Sequence, residues 1–299
     1  MTKIYDCFIF FNEIDILTIR LNELYDVVDY FIICEATKTF QGADKPLYFK
    51  ENIHLFEKFL QKIIHVVVDD MPDGDAWARE HHQRNSLRRV IQNCAPNDFI
   101  IVSDADEIIR REAIQEIRQN LPKYAMFDMP MFQYFLNLRS DLAGLRTPFG
   151  FQYNMIDQID DFNHVRNAES RHFCKFGRDA KMFHQSGWHL TYIGGVSRIR
   201  DKLNSYSHTE EWARSLLEPD GLTLLKQFVI GYGVGNGWHL SQFVEIDETF
   251  PKFVLENKSY FIEKDMIRDP YIALRELQRL ARYLDDENKN LKKQIDLLQ

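Results

Sequence analysis

Ile4-Tyr5-Asp6-Cys7-Phe8-Ile9-Phe10-Phe11-Asn12-Glu13 decides the class of this chain. The run is apolar and aromatic as far as Phe11 and turns polar at Asn12-Glu13, the pattern of a strand buried on both faces of a parallel sheet. From residue 14 to residue 24 apolar side chains recur at helical spacing, predicting a helix. The unit repeats down the chain, with strands predicted over 27–34, 62–68 and 98–102 and helices near 53–59, over 76–92 and over 112–120. Such alternation predicts an α/β fold: a mostly parallel central sheet flanked by helices. Ligands of these sheets bind beyond the carboxyl ends of the strands. Polar residues gather at those ends, namely Asn12-Glu13, Glu35, Asp69-Asp70 and Asp104 with Asp106.

Composition narrows the functional classes. Of 299 residues, 37 are Lys or Arg and 45 Asp or Glu, a net charge of −8, and 45% are hydrophobic. That apolar share excludes a disordered chain. The acidic balance is unlike that of a nucleic-acid binder, whose affinity comes from phosphate neutralisation, so no nucleic-acid partner is expected. No run approaches the ~20 apolar residues of a membrane span, so neither a transmembrane segment nor a leader is expected. Cys7, Cys34, Cys94 and Cys174 lack metal-type or redox-type spacing. They read as free thiols in a reducing, cytoplasmic setting. Neither a Walker loop nor a GxGxxG follows the first strand, which disfavours an ATPase or a dinucleotide-dependent dehydrogenase.

Beyond residue 123 the pattern loosens. A strand is predicted over 126–138 and a helix over 196–206, the latter preceded by the aromatic and glycine-rich segment from Gly187 to Gly195. The tail is different: Leu277, Leu284, Leu291 and Leu298 recur every seven residues, with Leu274, Ala281, Asn288 and Ile295 on the other seam. This predicts a coiled coil over 269–299 that joins a homodimer, with Asn288 setting register and Glu287 and Lys292 pairing across helices. The remaining 1–268 reads as one catalytic domain, with a nucleotide-binding half (1–123) and an acceptor half (124–268).

Asp104-Ala105-Asp106 carries the chemistry. Two carboxylates one residue apart on a turn at a strand's carboxyl end can contact one divalent ion, and hard oxygen ligands suit Mg²⁺ or Mn²⁺. Such an ion offsets the charge that builds on a departing diphosphate. The helix before it carries Trp77, His81, Arg84 and Arg88 at spacings of four, three and four, hence on one face, and arginine's fork suits phosphate oxygens. His81 and His82 do not make a zinc pair, because adjacent helical residues point ~100° apart.

These residues carry a resemblance. The segment from Phe11 to Leu24, its continuation Val27-Val28-Asp29-Tyr30-Phe31-Ile32-Ile33-Cys34-Glu35-Ala36, Lys45-Pro46-Leu47-Tyr48-Phe49, Asp104-Ala105-Asp106-Glu107-Ile108 and Gly187-Trp188-His189 together resemble glycosyltransferase family 17. The resemblance spans about residues 4–265 in order. It differs at Ile109, where the family often has proline, and it is poor over 139–180. It implies a GT-A nucleotide-sugar fold, a divalent metal (Mn²⁺ or Mg²⁺) and inverting transfer of N-acetylglucosamine from a UDP-sugar donor to a glycan or lipid-linked sugar acceptor. On it, Asp104, Asp106 and His189 are the expected metal ligands. Asn12, Glu13 and Glu35 are expected at the uridine, Arg79, Arg84 and Asn85 along the diphosphate, Asp104 also at the ribose, and Gly194 at a close backbone approach to the donor. An inverting transfer needs one base for the acceptor hydroxyl, and Glu210 and Asp157 are the candidates. A sugar nucleotidyltransferase would instead show a GxGxR-type loop where Phe10-Phe11-Asn12-Glu13 stands. A catalytically inactive glycan-binding scaffold would have no need of Asp104, Asp106, Arg84 and His189.

Overall fold

A computed structural model describes residues 2–140, 148–166, 180–208, 217 and 241–269, with isolated positions from Tyr271 to Lys289. Its main sheet has seven strands in the order β10-β6-β9-β4-β1-β2-β3. These are β1 (Ile4–Phe10), β2 (Tyr30–Ala36), β3 (Ile63–Val68), β4 (Phe99–Asp104), β6 (Tyr124–Phe127), β9 (Phe149–Gln152) and β10 (Ala180–Phe183). All neighbours are parallel except β9, which runs against both β4 and β6. The order places β2 and β3 on one side of β1 and β4 on the other. The chain therefore switches direction across the sheet between β1 and β4, where a crevice opens at the carboxyl ends.

Strand parity explains the two covered faces. Ile4, Phe8 and Phe10 of β1 point to a core shared with Leu17, Leu21 and Leu24 of α1 (Ile14–Leu24), with Phe56 and Phe59 of the 3₁₀ segment Ile53–Lys62, and with Ile114 and Ile117 of α5 (Arg111–Asn120). Tyr5 and Cys7 point the other way, towards Leu87, Ile91 of α4 (Arg88–Ile91), and Phe162 and Val165 of α6 (Phe162–Arg166).

A second sheet, β12-β8-β7-β11-β5, has no counterpart in the sequence reading. Its strands are β5 (Glu107–Ile109), β7 (Met131–Gln133), β8 (Leu138–Ser140), β11 (Gly187–Thr191) and β12 (Ser241–Phe243). It packs Ile108, Phe132, Trp188 and Leu190 on Ile16 and Ile19 of α1, and on Val254 of α8 (Lys252–Glu256) and Phe261 of α9 (Lys258–Glu263). Helix α1 is thus a spacer between two sheets. At Gly187 the strands approach so closely that a Cβ would lie 2.1 Å from the carbonyl oxygen of Ile108.

Several boundaries differ from the sequence reading, each for a local reason. The strand predicted over 27–34 begins only at Tyr30, because the Val27 and Val28 amides donate back to Leu24 O and close α1. The helix predicted over 76–92 breaks into α3 (Ala76–Asn85) and α4. Ser86 donates both its amide and its hydroxyl to His82 O, and a hydroxyl bonded back one turn weakens a helix there. The strand predicted over 98–102 runs on to Asp104, which pairs with Ile9. The strand predicted over 126–138 is parts of β6, β7 and β8, divided between the two sheets. The helix predicted over 196–206 is α7 (Gly195–Ser205). The coiled-coil seam residues lie outside the described residues, as does Cys174, while Cys7, Cys34 and Cys94 are buried free thiols. Among the described residues, no helix is long and apolar enough to cross a membrane.

One side chain fastens the layers together. Arg20, on the α1 face otherwise filled by Ile16, Leu17 and Leu21, is fully buried. Its Nε donates to Asp6 Oδ2 of β1 at 2.8 Å, and its Nη2 donates to Asp6 Oδ1 and to Ser103 Oγ. Its Nη1 reaches Asp104 O at 2.9 Å, Ala105 O at 3.3 Å and Glu107 O at 2.8 Å. The guanidinium lies over the Phe8 ring, 4.2 Å from its centroid. Replacing Arg20 with Met strands a buried Asp6 and three turn carbonyls, and the expected loss is about 3–5 kcal/mol of stability. Urea unfolding of the full chain measures it, and a variant as stable as the parent would show that this cluster does not hold the turn.

Candidate active site

The crevice at the β1–β4 switch point contains an open cleft. Four elements build it. The loop after β1 brings Asn12 and Glu13, with Glu13 Oε2 accepting the amides of Phe11 and Asn12 and so fixing the loop. The Asp104–Glu107 turn brings Asp106, which is almost fully buried. Strand β11 runs antiparallel to β5, sets His189 opposite Glu107, and ends at Thr191, just before Tyr192. Tyr192, Gly194 and Gly195 then have φ of 58°, 111° and 87°, and this left-handed stretch turns the chain sharply into α7. On α7, Arg198 and Lys202 stand one turn apart on the face that lines the cleft.

The carboxylates here already have cationic partners. Lys202 Nζ donates to Asp106 Oδ2 at 2.8 Å, and His189 Nε2 lies 3.7 Å from Asp106 Oδ1. Burial alone raises the Asp106 carboxyl, but Lys202 and then His189 outweigh it and hold it below the usual carboxylate range. Burial likewise pulls Lys202 down, while Asp106, Glu13 and Tyr192 hold it above its ordinary value. Both partners are ionised at neutral pH. Asp104 sits beside them with its amide donating to Glu107 Oε2 and its Oδ1 accepting from Arg84 Nη2 at 2.9 Å. Arg84 is itself buried, also paired with Glu80 and hydrogen-bonded to Asn163 Oδ1.

The residues expected from sequence therefore fall into two groups. Asn12, Glu13, Asp106 and Gly194 line the cleft, and Asp104, Arg84 and His189 stand directly behind Asp106 or its turn. Glu35, Arg79, Asn85 and Asp157 are not brought there. Glu35 is buried under α2 (Tyr48–Glu51), accepting from the Phe49 amide and contacting His65 and Lys45. Arg79 donates to Phe40 O and packs over Gly42. Asn85 spends both amide atoms at the start of α6, donating to Asp161 Oδ1 and accepting from the Phe162 amide. Arg88, the last residue of the predicted basic face, donates to Ile159 O and stacks on Phe162. Asp157 is exposed in a 3₁₀ segment (Tyr153–Gln158) whose start is tied to Asp98 O, at the opposite end of β4 from Asp104. Glu210 lies outside the described residues.

Arg198, Lys202 and Arg20 were missed from the sequence, yet each left a signal. Two cations four residues apart directly after Gly194-Gly195 mark a helix start able to meet an anion. A lone arginine within an apolar helical stripe marks a buried pair.

The residues present do not fit the expected divalent ion. Asp104 is held by Arg84 and Asp106 by Lys202, so an ion shared by the two carboxylates would sit against two side-chain cations. The other cleft acids are engaged too, with Asp15 Oδ1 accepting from Tyr260 OH and Lys264 at 2.8 Å each. Among the described residues, no three His, Cys, Asp or Glu side chains converge as a metal requires. His189 Nδ1 is buried with no hydrogen-bond partner among the described residues, and it is the ring nitrogen that does not face Asp106.

Comparison with known proteins gives this geometry a context. The chain is 36% identical over 112 residues to the beta-1,4-mannosyl-glycoprotein 4-beta-N-acetylglucosaminyltransferase of Homo sapiens, and equally to that of Rattus norvegicus. The Mus musculus protein is 35% identical over the same length. Each alignment covers 34% of this chain and 21% of the relative, so the matched part spans about a fifth of those proteins. The model of glycosyltransferase family 17 matches residues 1–228. That single match takes in the end of β1, the start of α1, the Asp104–Glu107 turn, β11 and α7, leaving Met266 of the cleft lining outside it, and the chain belongs to glycosyltransferase family 17.

Proposed function

We propose that this glycosyltransferase moves N-acetylglucosamine from a UDP-sugar to a hydroxyl of a glycan or lipid-linked sugar, with inversion at the anomeric carbon. The observation that carries the reading is the placement of the start of α7, with Arg198 and Lys202, across the crevice from the end of β1. A diphosphate laid against that helix start meets backbone amides and two cationic side chains. The nucleoside then extends towards Asn12 and Glu13, beyond the carboxyl ends of the parallel strands. The order β3-β2-β1-β4 with a second, smaller sheet supports a GT-A type arrangement. The mammalian relatives are N-acetylglucosaminyltransferases by name, which supports N-acetylglucosamine as the transferred sugar.

In the proposed reaction the acceptor oxygen bonds to the anomeric carbon as the bond from that carbon to the diphosphate breaks. The electron pair departs on UDP, and the hydroxyl proton passes to a carboxylate base, for which Glu210 is the candidate. Asp104 and Asp106, the carboxylates expected to hold Mg²⁺ or Mn²⁺, are already paired with Arg84 and Lys202. A homodimer through 269–299 and a cytoplasmic location complete the proposal, the latter in keeping with three buried thiols.

Thermal-shift screening of UDP-, GDP- and CMP-sugars tests the donor. UDP-N-acetylglucosamine is expected to raise Tm, since a ligand bound only by the folded state stabilises it. A shift with GDP- or CMP-sugars alone would overturn the assignment. Glu210→Gln is expected to lower turnover by roughly 10²–10⁴-fold with UDP binding retained, the range for losing a general base. Turnover equal to the parent's would remove Glu210 from the mechanism. Truncation after residue 269 is expected to halve the mass in solution, and an unchanged mass would exclude the tail as the dimer contact.

A further inference from the structure

We propose that Lys202, assisted by Arg198, is the cation that receives the departing diphosphate, so that this enzyme binds and uses its donor without a divalent metal. The inference rests on the glycosyl-transfer reading above and adds to it how the leaving group is neutralised.

Lys202 stands against the Asp106 carboxylate on the cleft wall. It lines the cleft, is three-quarters buried, and bonds to Asp106 Oδ2 at 2.8 Å above the Tyr192 ring. An ammonium carries three N–H donors, and within the described residues only Asp106 takes one. The others are available to phosphate oxygens. Arg198 lines the same wall one turn earlier, with Nη1 donating to Asn12 O. Among the described residues that bond leaves most of its fork unused, and a fork of N–H donors matches phosphate geometry.

The acidic side of the cleft shows why a metal is unnecessary. Mg²⁺ requires near-octahedral oxygen ligation, normally from one or two carboxylates plus phosphate and water. Asp106, Asp104, Glu13 and Asp15 are each engaged, by Lys202, by Arg84, by two backbone amides, and by Tyr260 with Lys264. Asp106 acts here as a positioning residue that fixes the Lys202 ammonium. When the bond between the anomeric carbon and the diphosphate breaks, the pair of electrons settles on the terminal phosphate oxygen. Lys202 and Arg198 donate hydrogen bonds to that oxygen and its neighbours while staying protonated.

Calorimetric titration of UDP into the full chain, in EDTA and then in Mn²⁺, tests this, alongside turnover of UDP-N-acetylglucosamine under both conditions. UDP is expected to bind in EDTA with nearly the affinity seen in Mn²⁺, and turnover is expected to survive chelation. Lys202→Met should weaken UDP at least about tenfold, the loss expected of one charge-assisted hydrogen bond, and Lys202→Arg should recover much of it. Because Lys202→Met also strands Asp106, Arg198→Met serves as the second variant. Its only bond among the described residues is to a backbone carbonyl, so it should fold with an unchanged Tm and still lose about tenfold in UDP affinity. UDP binding seen only with Mn²⁺, or an Arg198→Met protein that binds UDP like the parent, would overturn the inference and leave the glycosyltransferase reading intact. Absence of UDP binding under both conditions would overturn the donor reading, and this inference with it.

Discussion

A guanidinium with no exposed surface, held between two sheets, organises this molecule. Arg20 survives burial because all its donors are taken, two by the Asp6 carboxylate and the rest by Ser103 Oγ and the carbonyls of Asp104, Ala105 and Glu107. Neither partner could be buried alone, since an unpaired charge in the interior costs several kcal/mol. The carbonyls of the turn converge inward on Arg20, and this sets the course by which the chain leaves β4 and enters β5. Main sheet, second sheet and the acidic turn between them are thereby referred to a single point on α1.

The cleft shows a related economy of charge. The chain carries a net −8, yet the wall around Asp106 is locally balanced, with Arg84 against Asp104 and Glu80, and Lys202 against Asp106. An anionic ligand placed here would meet a helix start and N–H donors left unpaired among the described residues, not any excess of positive charge over the protein as a whole. This arrangement favours short-range, directional recognition over long-range steering.

How much of this could be read beforehand depends on how locally each feature is encoded. Parallel strands are largely apolar runs, so the buried Ile4–Phe10 and the edge strand Ile63–Val68 declare themselves, as does the acidic turn that follows Phe99–Asp104. The strands of the second sheet, mostly three residues long, are too short to show a period. Arg79 and Asn85 are expected as ligands from the family resemblance, and Arg88 from the helical spacing that sets it on one side with Arg84. Spacing does not reveal that Phe40 O, Ile159 O and Asp161 would claim them. Glu35 does stand at a strand end as expected, but the Phe49 amide and His65 take its oxygens. The pairing of Lys202 with Asp106 joins residues 96 apart in sequence and becomes visible only once β11 has been laid beside β5.

The contact between Arg198 and Asn12 O spans 186 residues. Strands β1 to β4 and their helices pair within the first 104 residues, whereas the far wall arrives only with α7. Contacts of such separation carry a heavy loop-closure cost and form late in folding. On a ribosome, the parallel core can therefore begin to fold well before the cleft exists. The cleft itself is complete only after α7 and then Met266 have emerged, which makes an intact cleft a report on completed folding of the described residues.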